Sequence, residues 1–502
     1  MSSAPILILG GGINGAAIAR ELALNKQDVV LVDRADIASG ATAYASRLIH
    51  GGLRYLEYRE VDLVRESLAE RERLLRVAPD FVRPLELVIP TESRFGGWRS
   101  AAANYMGWKW LAPKKVTKRG SWIVSTGLRM YDRLSQPCSL PGFRTAPRST
   151  TPFGRQSGAA AYRWFCSYWD AQIVAPERFT IALLRDAANV AKENGSRLEV
   201  LPYHEVHRDG QDIYLRKSST PHGHAEAVRP AAIINCAGAW VDEALQCIDI
   251  SAPRCMGGTK GSHLVTFHAG LKEALGDQGV YAEAPDGRPL FLLPFLHGTL
   301  VGTTDLRFEG SPGDAVTDDA EIDYLLQAIE SIFPTAGVNK KDIEAVYCGV
   351  RPLPYSPKGG AASITRRHWT QHHKDAPIRL WSVIGGKLTT CRSLAEETAA
   401  EVLGALGRSF TPLTRERPIA ETRRKNDIAA ICRDEWVTHL ADLVERRLLS
   451  QFDPTFDLAT LERYADVTIN LGVMPQESRE AELCIAKRRM TAFYRKRSFA
   501  TA

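Results

Sequence analysis

Three glycines near the start of the chain have the spacing of a diphosphate-binding turn. The motif reads Gly10-x-Gly12-x-x-Gly15. In such a turn the first glycine permits the tight bend, the second lets the backbone approach a pyrophosphate, and the third lets the next helix pack on the strand. The diphosphate then lies at the positive end of that helix. The spacing predicts dinucleotide binding, and the alternative is a glycine-rich structural turn.

The residues around this motif have the pattern of a βαβ unit. Ile6 to Leu9 and Val29 to Val32 are continuous apolar runs, typical of buried parallel strands, and a helical pattern lies between them. Asp33 ends the second strand, about 20 residues after the glycines, where a carboxylate can bind a ribose hydroxyl. That acid argues against a 2′-phosphate and therefore against NADP. The position of the unit near residue 1 is more typical of FAD proteins than of NAD proteins.

Length and composition exclude several classes of protein. The chain has 502 residues, of which 44% are hydrophobic and 24% charged. These values indicate a globular protein of two to four domains and exclude a mainly disordered, collagenous or coiled-coil chain. Nine scattered cysteines without a C-x-x-C pair argue against a disulfide scaffold, a zinc ribbon or a dithiol redox site. Without a long apolar run or a signal-peptide pattern, we expect a cytoplasmic location.

Further patterns predict how the rest of the chain is organised. They are a charged amphipathic helix over 61–77, a helix and strand over 176–201, a buried strand over 232–235, antiparallel strands over 290–293 and 299–302, a strand and glycine turn over 380–390, a helix over 394–406, and a charged helical region from 414 onwards. The separated buried strands predict a nucleotide-binding domain that is interrupted by inserted material.

One stretch of the chain is strongly basic. Between Ser93 and Trp169 there are thirteen Lys and Arg residues and one acid, Asp132. Trp and Tyr favour the membrane interface and Lys and Arg favour anionic headgroups, so the stretch predicts a segment that lies on a membrane without crossing it. The alternatives are a solvated basic face, a self-association surface or stacking on nucleic acid. Its interleaved side chains are Trp98, Arg99, Tyr105, Trp108, Lys109, Trp110, Lys114, Lys115, Lys118, Arg119 and Trp122.

A series of motifs resembles the family of FAD-dependent glycerol-3-phosphate dehydrogenases over roughly residues 5–405. The most specific match is Leu48-Ile49-His50-Gly51-Gly52-Leu53-Arg54-Tyr55-Leu56-Glu57. The others are Gly10-Gly11-Gly12-Ile13-Asn14-Gly15, Asn235-Cys236-Ala237-Gly238-Ala239-Trp240-Val241, Lys260-Gly261-Ser262-His263, Gly302-Thr303-Thr304-Asp305, Gly349-Val350-Arg351-Pro352-Leu353, Ile364-Thr365-Arg366 and Gly385-Gly386-Lys387-Leu388-Thr389-Thr390. Their common order along the chain makes the resemblance specific.

The resemblance implies an α/β fold. We expect an FAD-binding Rossmann-like domain with an inserted mixed-sheet (α+β) substrate domain and a C-terminal helical domain. The expected bounds are 1–75, 165–240 and 345–404 for the FAD-binding domain, 76–164 and 241–344 for the substrate domain with the basic, aromatic segment over 94–131, and 405–502 for the helical domain.

The resemblance also implies a reaction, the oxidation of sn-glycerol 3-phosphate to dihydroxyacetone phosphate by hydride transfer to FAD. Electrons then pass to a membrane quinone, or to oxygen as in oxidase relatives. The expected partners are a phosphorylated polyol, quinone and an anionic membrane at the inner face of the cell membrane, with a homodimer as one fitting assembly. We expect no metal and no nucleic acid. The alternatives are oxidation of another polyol phosphate such as a tetritol phosphate, an RNA-binding or RNA-modifying flavoprotein, and an inactive flavin-binding protein.

This chemistry needs a base and a group that favours the alkoxide. As hydride leaves the carbinol carbon, a base must take the hydroxyl proton, and His50 and His263 are the candidates because each lies in a glycine-flanked or polar stretch. A structural role is the alternative for each histidine. The resemblance implies that Arg351 lies near the carbinol oxygen and favours the alkoxide.

Three further cations are predicted to bind the substrate. Arg54 and Arg366 would hold it, the phosphate in particular, because guanidinium groups suit phosphate. Lys387 would lie beside the flavin, where it offsets negative charge or contacts substrate. The alternative for each cation is a surface ion pair, which contributes little.

The remaining predicted residues would hold the cofactor. Ser46 and Arg47 would line the diphosphate or the isoalloxazine, and Val206 would offer backbone contacts to adenine. Trp169 and Asp170 resemble an aromatic–acid pair of the family, with a structural role as the alternative. The predicted cofactor-binding residues are Gly10, Gly12, Asn14, Gly15, Asp33, Thr42, Ser46, Arg47, Val206, Ala237, Gly238, Gly386, Lys387, Leu388 and Thr389.

Overall fold

A computed structural model of the chain describes residues 4–96, 119–151, 153–154, 158–219, 225–284, 287–357, 364–421 and 427–499. Most of the predicted membrane-surface segment lies outside these ranges, because 97–118 contain four of the five interleaved Trp and Tyr residues named above. Of the interleaved side chains named above, the described residues include only Arg119 and Trp122. Within the described ranges, no helix has both the length and the apolarity needed to cross a bilayer.

The strands alternate with helices along much of the chain. The described strands are β1 (Ile6–Leu9), β2 (Val29–Val32), β3 (Leu48–Ile49), β4 (Val82–Thr91), β5 (Arg144–Pro147), β6 (Trp164–Ile173), β7 (Leu198–Leu201), β8 (His204–Asp209), β9 (Asp212–Lys217), β10 (Glu226–Val228), β11 (Ala232–Asn235), β12 (Met256–Thr266), β13 (Gly279–Glu283), β14 (Pro289–Phe295), β15 (Gly298–Gly302), β16 (Leu306–Arg307), β17 (Ile343–Pro354), β18 (Trp369–His372) and β19 (Leu380–Ile384).

The α-helices flank the sheets and continue beyond the last strand. They are α1 (Ile13–Leu24), α2 (Val61–Val77), α3 (Ser121–Leu134), α4 (Pro176–Asn194), α5 (Val241–Cys247), α6 (Ala269–Leu275), α7 (Asp319–Ile332), α8 (Cys391–Ala405), α9 (Ile428–Asp434), α10 (Leu458–Asn470) and α11 (Arg479–Arg488). The helix predicted over 61–77 is therefore confirmed, and the helix predicted over 394–406 begins three residues earlier than expected.

A six-stranded sheet carries the glycine turn. Its strand order is β18-β19-β11-β1-β2-β7, and β1 pairs in parallel with both β2 and β11. Every residue of β1, β2 and β11 is buried, as their continuous apolar runs predict. Neighbouring strands of this sheet come from distant parts of the chain, and the predicted α/β class is confirmed.

A second, mixed sheet of ten strands forms the other half of the core. Its main order is β16-β12-β15-β14-β13-β4-β6-β3, with β17 paired to β12 and β5 paired to β6. Here the structure corrects the predicted domain bounds. The prediction assigned 165–173 and 345–354 to the FAD-binding domain, but these residues form β6 and β17 of the ten-stranded sheet. Buried apolar runs look alike in both sheets, and only their pairing partners distinguish them.

The region after residue 405 is helical, as expected, and it docks on the core through buried polar contacts. Lys496 Nζ is 2.9 Å from Glu344 Oε1, and both side chains are buried. The backbone N–H of Val346 in β17 donates to the Tyr494 carbonyl at 2.8 Å. The C-terminal region is thereby joined to the strand that also carries Arg351.

Candidate active site

A cleft of about 2390 Å³ is lined by residues of both large sheets. This volume exceeds that of ordinary small-ligand pockets, so the cleft has room for a dinucleotide and a small substrate. The predicted site residues that line it are Gly10, Gly12, Asn14, Asp33, Thr42, Ser46, Arg47, His50, Arg54, Val206, Ala237, Gly238, His263, Arg351, Arg366, Gly386, Lys387, Leu388 and Thr389. Gly15 does not line the cleft and lies against the turn behind it.

The glycine turn is closely packed where the motif requires it. Gly10 has a φ of +108°, and a Cβ on Gly15 would lie 2.0 Å from the Gly10 carbonyl oxygen. A Cβ on Gly12 would instead lie 3.5 Å from Thr42 Oγ1, an ordinary contact. The N–H of Ile13, the first residue of α1, donates to the same hydroxyl at 3.1 Å. The turn leaves backbone exposed to the cleft at the start of a helix, which suits a diphosphate.

Asp33 lies at the end of β2, on the wall of the cleft. Its carboxylate accepts hydrogen bonds from the backbone N–H groups of Gly11 at 2.7 Å and Ala35 at 2.8 Å. Burial raises the pKa of this carboxyl to about 6. The His204 N–H donates to the main-chain carbonyl of Asp33 at 2.9 Å, so β8 begins next to Asp33, and Val206 of that strand lines the same cleft. This is the position at which a ribose hydroxyl would be bound.

A second glycine turn lines the cleft next to the first turn of α1. Gly386 has a φ of +108°, and a Cβ there would lie 2.5 Å from Asn14 Nδ2. Asn14 Oδ1 is buried and has no hydrogen-bond partner among the described residues. The His50 N–H donates to Thr389 Oγ1 at 3.1 Å. Three separated segments therefore meet here and leave a buried acceptor that a ligand N–H group would satisfy.

The His263 ring is held by two contacts. Its Nε2 is 2.9 Å from Ser46 Oγ, and its ring stacks on Tyr347 with centroids 4.7 Å apart. Burial, together with the charges of Arg351 and Arg47, holds the pKa of His263 well below its usual value. The imidazole is therefore neutral at pH 7, which is the form that can accept a proton.

His50 is the second histidine of the cleft. Burial, together with the charge of Lys387, lowers the pKa of His50 to about 3. Its ring lies 6.4 Å from that of Phe291. Both candidate bases are thus brought to one cleft in the neutral form.

Arg351 is fixed by four hydrogen bonds. Its guanidinium donates to Thr259 Oγ1 and Asp305 Oδ1, each at 3.2 Å, to Thr303 Oγ1 at 2.8 Å and to the Thr304 carbonyl at 3.1 Å. Burial lowers the pKa of Arg351 to about 10, so the group stays charged at neutral pH. Because these four bonds fix the guanidinium and Arg351 lines the cleft, its positive charge has a fixed position at the cleft wall.

Three more cations complete this wall. Arg366 lies 3.7 Å from Asp305, and the buried Arg54 Nε has no hydrogen-bond partner among the described residues. Lys387 Nζ lies 4.2 Å from the centroid of the Tyr55 ring. Burial lowers the pKa of Lys387 to about 7. Four basic side chains therefore lie together on this wall, and two of them, Arg351 and Arg366, share the carboxylate of Asp305.

The structure gives the Arg47 side chain a different place from the predicted one. Its guanidinium donates to both Glu177 carboxylate oxygens, at 2.7 and 3.0 Å, and to the carbonyls of Val174 and Ala43. Both terminal nitrogens of the guanidinium are thus bonded inside the core, so a role in cofactor binding would fall to its backbone. Asp170 is likewise buried and accepts from Arg71 and Tyr131, the structural alternative for this residue.

Several residues of the site were not predicted. Asp305 and Thr303 hold Arg351, and both belong to a motif already visible in the sequence. Tyr55 follows the predicted Arg54 directly. Tyr281 and Phe291, which stack at 4.9 Å beside the cleft, have no local signal, because strand pairing alone brings them together.

Comparison with known proteins identifies the family. Residues 5–400 match the family described as FAD dependent oxidoreductase. A glycerol-3-phosphate dehydrogenase of Synechocystis sp. is 36% identical over 443 residues, which are 83% of this chain and 73% of the relative. The chain belongs to the FAD-dependent glycerol-3-phosphate dehydrogenase family.

Other members and neighbours agree with this assignment. A D-erythritol 1-phosphate dehydrogenase of Brucella abortus is 32% identical, covering 78% of this chain and 72% of the relative. A solved glycerol-3-phosphate dehydrogenase from Bacillus halodurans, complexed with FAD, superposes with a TM-score of 0.68 at 18% identity. That comparison covers 98% of this chain and 95% of the other, and at this identity it shows the shared fold.

FAD is the cofactor of this family member, and the residues of the cleft fit it. The glycine turn suits the diphosphate, Asp33 the ribose, and Gly386 with Asn14 the flavin ring. No described residue of the protein donates to Asn14 Oδ1, so this acceptor is available to the cofactor.

Two alanine substitutions in the glycine turn are expected to behave differently. Gly15→Ala forces a Cβ against the Gly10 carbonyl, which should cost about 1–3 kcal/mol of unfolding free energy and abolish FAD binding. Gly12→Ala has room in the protein itself, so only FAD affinity should fall. Thermal unfolding of the FAD-free variants and the absorbance of bound flavin check both expectations. Equal melting temperatures for the two variants would contradict the packing argument.

Proposed function

We propose that this chain oxidises sn-glycerol 3-phosphate to dihydroxyacetone phosphate and passes the electrons to a quinone. The observation that carries the proposal is the wall of the cleft, where Arg351 lies near a neutral His263 and the cations Arg54, Arg366 and Lys387 are available to an anion. A secondary alcohol that bears a phosphate needs this combination of a base and anion-binding groups.

Each residue of the site has a separate role in the proposed oxidation of the alcohol. Bound FAD supplies the hydride acceptor. Arg351 stabilises the alkoxide that develops as the hydroxyl proton leaves, because its charge is fixed before the reaction. His263 takes that proton at Nε2, through the Ser46 hydroxyl hydrogen-bonded to it at 2.9 Å. Arg54 and Arg366 hold the phosphate and so position the carbinol carbon.

The experiment that tests the proposal is an anaerobic titration of the purified flavoprotein. We expect sn-glycerol 3-phosphate to bleach the flavin absorbance rapidly. Bleaching by the sn-1 enantiomer should be far slower, which provides the control for stereochemistry. A flavin that no polyol phosphate bleaches would contradict the proposal.

The Brucella abortus relative supports a second candidate function. That protein is named D-erythritol 1-phosphate dehydrogenase, and its identity to this chain is close to that of the glycerol-3-phosphate dehydrogenases. The base and the cationic wall serve a tetritol phosphate equally well. Bleaching by D-erythritol 1-phosphate with a higher kcat/KM than by sn-glycerol 3-phosphate would select this second function and leave the mechanism unchanged.

Substrate binding should depend on pH through Lys387. Since burial lowers the pKa of Lys387 to about 7, its amine is charged below that pH and neutral above it. We expect the KM to rise about tenfold as the pH increases from about 6 to about 9, because a charged hydrogen bond to the phosphate is lost. Lys387→Arg keeps its charge, so its KM should stay flat over this range. A KM that rises equally in the variant would exclude Lys387.

We further propose that quinone is reached at the inner face of the cell membrane through the basic, aromatic segment. Phe95 and Trp122, on either side of residues 97–118, are 64% and 56% exposed. The Gly120 N–H donates to the Gly96 carbonyl at 2.8 Å, so a short glycine linker can replace residues 97–118. This deletion should abolish sedimentation with anionic vesicles and leave flavin reduction intact. Unchanged binding to those vesicles would contradict the membrane proposal.

A further inference from the structure

The C-terminal region reaches the cofactor cleft, although the family match ends at residue 400. Side chains of His439, Arg446, Arg489 and Phe493 line the same cleft as the glycine turn. These four residues lie beyond every motif that identifies the family. They and their neighbours contact two loops, one with Asp36 and one with Tyr44. These loops lie next to the expected positions of the nucleotide and the flavin.

The first contact is a buried ion cluster at the loop over residues 33–38, which follows β2 and is called the nucleotide loop below. Asp36 lies three residues after Asp33 and is fully buried. Its carboxylate binds the guanidinium groups of Arg446 and Arg447, the latter through an Nη2–Oδ1 bond of 2.9 Å. Two residues further on, the Ala38 N–H donates to the Gly11 carbonyl at 3.0 Å. The loop that connects the ribose carboxylate with the glycine turn is therefore held from the C-terminal region.

The second contact lies beside Asp33. Tyr203 donates its N–H to the Ala35 carbonyl at 3.2 Å, and its hydroxyl donates to Asp442 Oδ1 at 2.5 Å. The ring of His439 packs edge-on against Tyr203, with centroids 4.4 Å apart. His439 Nδ1 is 2.6 Å from Glu482 Oε1. This places His439 on the wall next to the nucleotide loop.

A third contact lies at the other loop, which carries Tyr44. The Tyr44 ring packs on Phe493 at 5.2 Å, and its hydroxyl accepts from Arg489 at 3.1 Å. Phe452 packs against Tyr347 at 5.6 Å, and Tyr347 is the ring on which His263 stacks. The C-terminal region thus contacts two separate loops that line the cleft, those of Asp36 and Tyr44.

We propose that the C-terminal region is part of the FAD-binding site. Arg446 and Arg447 are positioning residues that hold the nucleotide loop, through Asp36, against the bound nucleotide. His439 forms part of the cleft wall next to the adenosine. Loss of one guanidinium leaves part of the negative charge of the buried Asp36 carboxylate without a positive partner. The nucleotide loop must then move so that water can solvate this carboxylate. The inference depends on FAD binding and not on the identity of the alcohol.

The test compares two buried arginines in the full chain. Arg447→Met removes a partner of Asp36, and we expect the dissociation constant of FAD to rise about tenfold or more. Arg178→Met is the matched control. Arg178 is also buried and bonds C-terminal Glu435, with Nη2 2.8 Å from Oε1, but its described side-chain hydrogen bonds go to Glu421 and Glu435 and not to Asp36. Its FAD dissociation constant should stay within about twofold of wild type although its melting temperature falls.

The dissociation constant is measured by flavin fluorescence after removal of FAD, without substrate. Failure of the proposed substrate therefore leaves this result interpretable. Arg447→Lys restores the charge and should recover part of the affinity. Equal weakening of FAD binding by Arg447→Met and Arg178→Met would overturn the proposal, because general destabilisation would explain both.

A second variant keeps the test decisive if Arg447→Met does not fold. His439→Gln retains an N–H donor for Glu482 and removes the ring that packs on Tyr203. We expect its FAD dissociation constant to rise about threefold with little change in melting temperature. An unchanged dissociation constant in this folded variant would overturn the proposal.

Discussion

An Arg351→Met variant is expected to reduce its flavin about 10³-fold more slowly than the wild-type protein at saturating sn-glycerol 3-phosphate. The guanidinium is held by Thr259, Thr303 and Asp305, so in the proposed mechanism its position is fixed before the substrate oxygen binds. Methionine fills similar space but offers neither charge nor hydrogen bond. Stopped-flow absorbance under anaerobic conditions measures the change.

Two controls separate chemistry from folding in this experiment. FAD should remain bound to Arg351→Met, because none of the four hydrogen bonds that fix Arg351 reaches the glycine turn. Arg307→Met removes an exposed arginine from β16 of the same sheet and should reduce at the wild-type rate. Reduction of Arg351→Met within about twofold of wild type would remove Arg351 from the mechanism.

His263→Gln should lower the rate of flavin reduction by about 10²–10⁴-fold, the usual loss when a general base is removed. Glutamine can still bond the Ser46 hydroxyl but cannot take a proton. Since the pKa of His263 lies well below its usual value, the wild-type rate should be insensitive to its titration above neutral pH. The variant should gain activity as the pH rises, because hydroxide then replaces the missing base.

His50→Gln is the matched control that distinguishes the two histidines. It removes the other neutral imidazole of the cleft, and we expect a loss of no more than about tenfold. A larger loss in His50→Gln than in His263→Gln would exchange the roles of the two residues. Equal losses would indicate that neither histidine alone accepts the proton.

The parts of the fold that could be predicted are those with local signals. The βαβ unit followed from apolar runs and glycine spacing within about thirty residues, and β1, α1 and β2 lie where expected. By contrast, the prediction places residues 165–173 and 345–354 in the FAD-binding domain, whereas they pair as β6 and β17 in the ten-stranded sheet. Their apolar pattern permits either sheet, and the choice is made by pairing with β4 and β12.

The site shows the same limit at the level of side chains. His263, Arg351 and Lys387 stand in recognisable motifs, whereas the bond between Ser46 and His263 joins residues 217 positions apart. The Arg47 side chain follows the predicted Ser46 directly, yet its position is decided by Glu177 on α4. Such partners become visible only when distant elements pack together.

The strand order of the nucleotide-binding sheet has a consequence for synthesis on the ribosome. Ile6 of β1 pairs with Ala232, and β11 in turn pairs with Leu380 of β19. At ordinary translation speeds roughly 20–80 s separate the emergence of β1 from that of β19. During that interval the nascent chain exposes unpaired strand edges, which are prone to aggregate. We therefore expect chaperones to shield the growing chain and FAD to load only after release.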